Sequence, residues 1–269
     1  MSAHRMLEFL KRLGAKNANK QPFASAWLSI LSQRVGFYAL LTAAEQSRLR
    51  DLIAAFLDDV TFEGCGGLAM TDEIRVTIAA HACLLLLNRE QASYPGLRSV
   101  LVYPSSYVAP SEYVDAIGVV HEGDERRLGE AWMRGAVILS WDDVQHDSRD
   151  FAGGRNVTLH EFAHQLDQED GTFDGAPVLE NRARYRSWAR ILMTEYQTLQ
   201  RAADAGEPSV IDQYGATDPA EFFAVVTEAF FEKPRALRQK HPQLYAELRK
   251  FFRQDPAERF AAAGRDATR

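Results

Sequence analysis

The sequence predicts an α+β fold, mainly helical, with a small sheet ahead of one histidine-bearing helix. Three observations lead there. Apolar residues recur at helical spacing through most of the chain, before and after residue 157. The short strand-like runs, at Ser99–Val108, Val114–Val120 and Gly135–Trp141, all precede that point. The stretch Val157–Asp167 itself carries His160-Glu161-Phe162-Ala163-His164, while Leu159, Phe162, Ala163 and Leu166 keep the i, i+3, i+4, i+7 rhythm of a buried stripe.

Composition narrows the class. With 269 residues, 46% hydrophobic and 25% charged, the chain is ordinary globular protein. Residues 24–253 are expected to form a single domain, between a basic segment and linker at 1–23 and a flexible tail at 254–269. The formal net charge of −6 gives no general attraction for nucleic acid or an anionic membrane, so neither is expected as a direct partner. Met1–Phe23 lacks the continuous apolar core of a signal peptide. The longest apolar run, Ile78–Leu87, is interrupted by His81 and too short to span a bilayer. The two cysteines, Cys65 and Cys83, form no CxxC pair, and such sparse usage suits a reducing compartment. A cytoplasmic location is the expectation.

The elements follow in order. Thr42 caps a helix that runs to Leu57, and the Gly-rich stretch Phe62–Gly67 breaks the pattern. Thr71 caps a second helix, opened by Asp72 and Glu73 near its positive end and apolar on most faces to about Asn88. His81 inside it reads as a satisfied core histidine. Tyr94-Pro95-Gly96 is a turn, and the strand from Ser99 ends near Pro104. His121–Glu125 reads as a charged turn, with no histidine four residues beyond His121 to repeat the motif. Asp142, Asp143, His146, Asp147 and Asp150 read as a solvated loop leading into the histidine-bearing helix, which Asn156 caps. A long amphipathic helix covers Glu180–Ala203, and Asp218 with Pro219 opens a helix that Pro234 stops. The last helix spans His241–Arg253.

Residues four apart on a helix share a face, so His160 and His164 can aim both imidazoles at one metal ion. Glu161 is placed to take a proton from a metal-bound water. A catalytic zinc site uses three protein ligands and leaves the fourth position open. The third is open on pattern alone: His146, His241, Glu221 or Glu228 could serve. Glu221 also falls at the N3 position of its helix, where a capping-box carboxylate is expected. Tyr214, in the loop before that helix, could donate to an oxyanion. Asp167, three residues beyond His164, is a candidate to orient its ring.

His160–His164 with Leu166-Asp167 and Asp170-Gly171, followed by Tyr214 and Pro219–Ala224, resembles the Mlc titration factor A family. Phe62-Glu63-Gly64, Thr71-Asp72-Glu73, Leu84–Asn88, Tyr94-Pro95-Gly96, Val102-Tyr103-Pro104, Gly129–Trp132 and Leu139–Asp143 carry the same resemblance, which covers roughly residues 40–252. These are bacterial zinc metallopeptidases of the gluzincin type, related in their catalytic domain to anthrax lethal factor. The resemblance implies a zincin-like fold and one zinc ion per chain, held by His160, His164 and Glu221. It also implies that Glu161 acts as general base and Tyr214 as oxyanion stabiliser, with aminopeptidase-like cleavage of a peptide substrate. In that family a glutamate seven residues after the active-site tyrosine completes the zinc shell, and Glu221 stands seven after Tyr214. The resemblance implies a second role as well, binding of the Mlc repressor of glucose-phosphotransferase genes.

Overall fold

The structure, a computed structural model, describes residues 23–106, 112–114, 120–122, 135–149 and 151–264. In chain order these form α1 (Ser25–Arg34), α2 (Ala43–Asp59), β1 (Thr61–Gly64), α3 (Asp72–Leu86), β2 (Ser99–Tyr103), β3 (Glu112–Val114), β4 (Val120–Glu122), β5 (Ala136–Ser140), α4 (Trp141–Arg149), α5 (Val157–Asp167), α6 (Arg182–Ala205), α7 (Pro219–Glu232), α8 (Pro234–Lys240), α9 (Pro242–Phe252) and α10 (Pro256–Ala262). The architecture is mainly helical with a small parallel sheet, the α+β class. Among the described residues no helix is long and apolar enough to cross a membrane.

Local chemistry accounts for the helix starts. The Thr42 hydroxyl accepts from the Glu45 N–H while the Glu45 carboxylate accepts from the Thr42 N–H, closing a capping box on α2. Thr71 caps α3 through the Ile74 N–H. Asn156, Asn181 and Asp218 do the same for α5, α6 and α7.

The sheet has the order β1-β2-β5, all parallel, with Phe62 paired to Val100 and Val100 to Val137. Alternate residues Val100, Val102, Val137 and Leu139, paired across β2 and β5, bury one face of the sheet, while Leu101 and Ile138 on the other face are half-buried. Helix α3 makes the crossover from β1 to β2 and is buried almost all round, as its sequence demands. His81 on α3 is fully buried; its Nδ1 pairs with the Thr77 carbonyl at 3.0 Å and its ring packs between Phe37 and Phe151. Helices α5 and α7 pack directly on one another. Behind α7, Phe223, Phe230 and Phe231 mesh with Trp188, Phe251 and Phe252. Each such fully buried side chain contributes roughly 1.5–3 kcal/mol of transfer free energy, and together they fix where the first turn of α7 points.

Several expectations need correction. The stretch after α2 is not only a break: Thr61–Gly64 forms the edge strand β1, and the Thr61 N–H donates to the Arg98 carbonyl at 3.0 Å. The single strand expected over Val114–Val120 is instead an antiparallel pair, with β3 ending at Val114 and β4 beginning at Val120; His121 and Glu122, read as a turn, belong to β4. The acidic stretch after β5 is helix α4 rather than a loop. Asp142 and Asp143 favour its N-terminal turn, and Val144 and Ser148 give it a narrow buried side. Pro234 does end α7, but it also opens α8 as the first helical residue. Finally, residues 256–262 are not a loose tail. Asp255 caps α10, Ala257 and Phe260 are buried, and the Tyr245 hydroxyl donates to Asp255 and accepts from the Ala257 N–H. The basic segment over 1–22 and the Gly129–Trp132 motif lie outside the described residues.

Candidate metal centre

Helix α5 separates two jobs by face. Leu159, Phe162, Ala163 and Leu166 are fully buried against the core. His160 and His164 lie on the opposite side, with ring centroids 4.8 Å apart and Nε2 atoms 3.1 Å apart. Helix α7 brings Glu221 to the same point. Asp218 accepts from the Ala220 and Glu221 N–H groups, so the N-terminal turn is capped without help from the Glu221 side chain. That carboxylate is released from the capping-box role and turns to the histidines, 3.0 Å from His160 Nε2 and 3.5 Å from His164 Nε2.

These separations fit a metal. A four-coordinate ion with bonds of about 2.0–2.1 Å sets its ligand atoms about 3.3 Å apart. Here the two Nε2 atoms lie 3.1 Å apart, Glu221 Oε2 lies 3.0 Å from His160 Nε2 and Glu221 Oε1 3.5 Å from His164 Nε2, and one ligand atom from each residue falls within 4.8 Å of the other two. His160, His164 and Glu221 are the one group of such residues among the described ones whose donor atoms converge in this way. His146 and His241, the other histidines considered for this place, are not in it; His241 pairs through Nδ1 with Glu195 at 2.8 Å.

A carboxylate behind His160 fixes its ring. Glu228, two turns along α7 from Glu221, accepts a hydrogen bond from His160 Nδ1–H at 2.7 Å. With Nδ1–H so committed, Nε2 is the nitrogen that faces the converging point. Glu228 also accepts from the Asn156 N–H at 2.5 Å. Glu232, one turn further, accepts from the Gly154 N–H at 2.7 Å and from Asn156 Nδ2 at 2.9 Å. Asp147 accepts from the Val157 N–H at 2.8 Å. The open amides at the start of α5 therefore meet three carboxyl groups. Burial, with the nearby Glu228 charge adding to it, pushes Glu232 up to about 9 and Asp147 up to about 6. The sequence offers Glu228 only as an alternative metal ligand; its separation from His160 along the chain hides the pairing.

The electrostatics of the two histidines diverge. Burial works against a charged His160, but hydrogen bonds with Glu221 and Glu228 outweigh it and push the ring up to about 10. At His164 burial prevails over the Glu221 contact and the ring is lowered. Glu221 is partly desolvated, yet the two imidazoles hold it down at about 2.

The remaining candidates are distributed round this point. Glu161 is buried, with 5% exposure, and close enough to raise the proton affinity of His160. Tyr214 is 44% exposed in a single 3-10 turn at Gln213–Ala216, its ring centroid 6.1 Å from that of His160. Asp167, expected to orient His164, has one oxygen engaged elsewhere: Oδ2 accepts from the Gly175 N–H at 2.9 Å. Its burial pushes it up to about 7. Gly175 in turn accepts from Trp188 Nε1 at 2.9 Å, so Asp167 ties the loop after α5 to the core of α6. Phe173 from that loop lies against His164, centroid to centroid 4.9 Å. No pattern in the sequence marks it, because its neighbours are loop formers.

The family described as Glucose-regulated metallo-peptidase M90 matches residues 10–253, beginning well before the motif-bearing part of the chain. Mlc titration factor A of Klebsiella pneumoniae is 36% identical over 84% of this chain and 85% of its own length. Mlc titration factor A of Salmonella arizonae is 37% identical over 81% and 87%. A protein of Synechocystis described as uncharacterized is 42% identical over 90% and 88%. With the match spanning nearly the whole chain, this protein belongs to the M90 family of glucose-regulated metallo-peptidases, the family of Mlc titration factor A.

Proposed function

We propose that the chain is a zinc-dependent peptidase of zincin-like fold that hydrolyses peptide bonds in an aminopeptidase-like manner in the cytoplasm. The observation that carries this reading is the convergence of His160, His164 and Glu221, with Glu161 buried beside them. Two imidazoles and one carboxylate suit zinc and leave it one position open. Bound there, zinc supplies positive charge that polarises a carbonyl and makes water a nucleophile near neutral pH. Glu161 would take a proton from the attacking water and pass it to the leaving amine. Tyr214 donates its hydroxyl to the carbonyl oxygen as negative charge develops. Glu228 holds the His160 tautomer throughout.

The test is a zinc-loaded preparation assayed on a peptide library beside Glu161→Gln. Cleavage should fall about 10²- to 10⁴-fold in the variant while bound zinc stays the same. Cleavage that survives the substitution, or a wild-type protein that cleaves nothing, overturns the reading.

A second reading is regulatory, and the names of the Klebsiella and Salmonella relatives favour it. In that reading the chain binds an Mlc-type transcriptional repressor, and its metal site is not its main function. It has no direct contact with nucleic acid. Pull-down of such a repressor by wild type and Glu161→Gln alike would separate binding from catalysis.

A further inference from the structure

We propose that Phe173 is the specificity-determining residue of this site, selecting substrates with an apolar, planar side chain next to the scissile bond. The inference rests on the peptidase reading and deepens it. Phe173 is the only apolar residue in the loop segment Asp170-Gly171-Thr172-Phe173-Asp174-Gly175. Here the ring remains 40% exposed and stands over His164, tilted by 35°.

The loop holds the ring there through its own hydrogen bonds. Asp170 Oδ1 accepts from the Thr172 N–H at 3.0 Å and from its hydroxyl at 2.7 Å. Asp174 Oδ1 accepts from the Ala176 N–H at 3.1 Å. Within the second closure, Asp167 and Trp188 both grip Gly175. Phe173 is thus presented on a braced loop. Tyr214 stands at the other histidine, so each ring borders a different one of the two imidazoles. Their chemistry differs. Tyr214 carries a hydroxyl for the reacting oxygen. Phe173 offers only a π face and ring edges, which can favour an apolar or aromatic side chain but cannot take part in proton transfer. A substrate side chain laid on that face loses water from both surfaces, whereas a charged one would be desolvated without a partner.

The experiment uses zinc-loaded protein and two matched peptide series, one varying the residue before the scissile bond and one the residue after it. Each series carries Phe, Leu, Ala or Glu at the varied place. In one series wild type should favour Phe over Ala. Phe173→Ala should lower that ratio of kcat/KM about ten-fold, the scale of hydrophobic pocket discrimination; taking the ratio within each protein cancels any change in bound zinc or overall rate. Phe173→Leu should fall between. A ratio unchanged in both series, or an equal loss on every peptide, overturns the proposal. If wild type cleaves no peptide, binding decides it separately: a benzyl-bearing and a methyl-bearing hydroxamate are titrated into zinc-loaded protein by calorimetry. A benzyl preference that Phe173→Ala removes upholds the role of Phe173 although the peptidase reading has failed; an identical preference in both proteins overturns it.

Discussion

His160 and His164 lie one helical turn apart and look at the same point, yet they are held by different physics. The His160 side is built of charge. Glu221 and Glu228 address its two nitrogens, and 14% of the side chain remains exposed. The His164 side is built of packing. Its side chain is fully buried, Phe173 lies against it, and burial lowers its proton affinity. A ligand set by carboxylates depends on those charges being present; a ligand set by packing depends on the loop and the helices that close over it. The two sides should therefore fail in different assays.

Glu221→Ala breaks the point that both sides share, and should have the largest effect. Two imidazoles then remain, and zinc affinity should fall by more than the 10–100-fold typical of losing an outer partner, as read by chelator competition. Retention of zinc near wild-type affinity would mean that another residue completes the site.

Glu228→Ala attacks the charged side alone. The His160 Nδ1–H loses its acceptor at 2.7 Å, so the ring is free to turn. Zinc affinity should drop about 10–100-fold, with Glu228→Gln recovering part of it through its amide oxygen. The same substitutions should leave the hydroxamate preference assigned to Phe173 unchanged, because that residue stands against the other histidine.

Gly175→Ala attacks the packing side. Gly175 has φ +76°, and a Cβ there would sit 2.2 Å from the Pro219 carbonyl oxygen, backbone at the first turn of the helix that carries Glu221. Left-handed backbone alone costs an L-residue about 1–2 kcal/mol, and the contact adds displacement. The expected signature is a lowered Tm in the metal-free protein. An unchanged Tm would show that the loop is not braced against α7.

The asymmetry between the two sides also explains what could be read from sequence. The α5 pattern, the caps at Thr42, Thr71, Asn156 and Asp218, and the helices they start all rest on local spacing, and these are legible. Glu228 was not legible as the partner of His160, because the pairing joins residues 68 apart and depends on how α7 is rolled against α5. Phe173 was hidden for a similar reason: among Asp, Gly and Thr neighbours its sequence says loop, and only the closed loop shows which way the ring is carried. Helix α4 was obscured by its acidic residues, since Val144 and Ser148 give its buried side too little apolar signal. The helix α10 is short enough that its cap at Asp255 and the burial of Phe260 matter more than its polar composition.

His81 extends the packing side to its limit and gives the smallest predicted effect. It lies on α3, which packs against α5, and has no carboxylate among its recorded partners: the Thr77 carbonyl, Phe37 and Phe151. Burial lowers it from 6.5 to about 4. The unfolded chain therefore binds its proton more readily than the folded one. The stabilising contribution is fully present above pH 6.5 and is lost as pH falls from there towards 4. Going from about pH 7 to about pH 5.5 should cost on the order of 1 kcal/mol from this group. Chemical denaturation of metal-free wild type beside His81→Leu, which keeps an apolar side chain of similar size, checks it. The wild-type stability should fall more steeply over that interval than the variant's. Parallel pH profiles would mean that the loss comes from elsewhere, and that the buried face behind the metal helix tolerates a charge that its packing argues against.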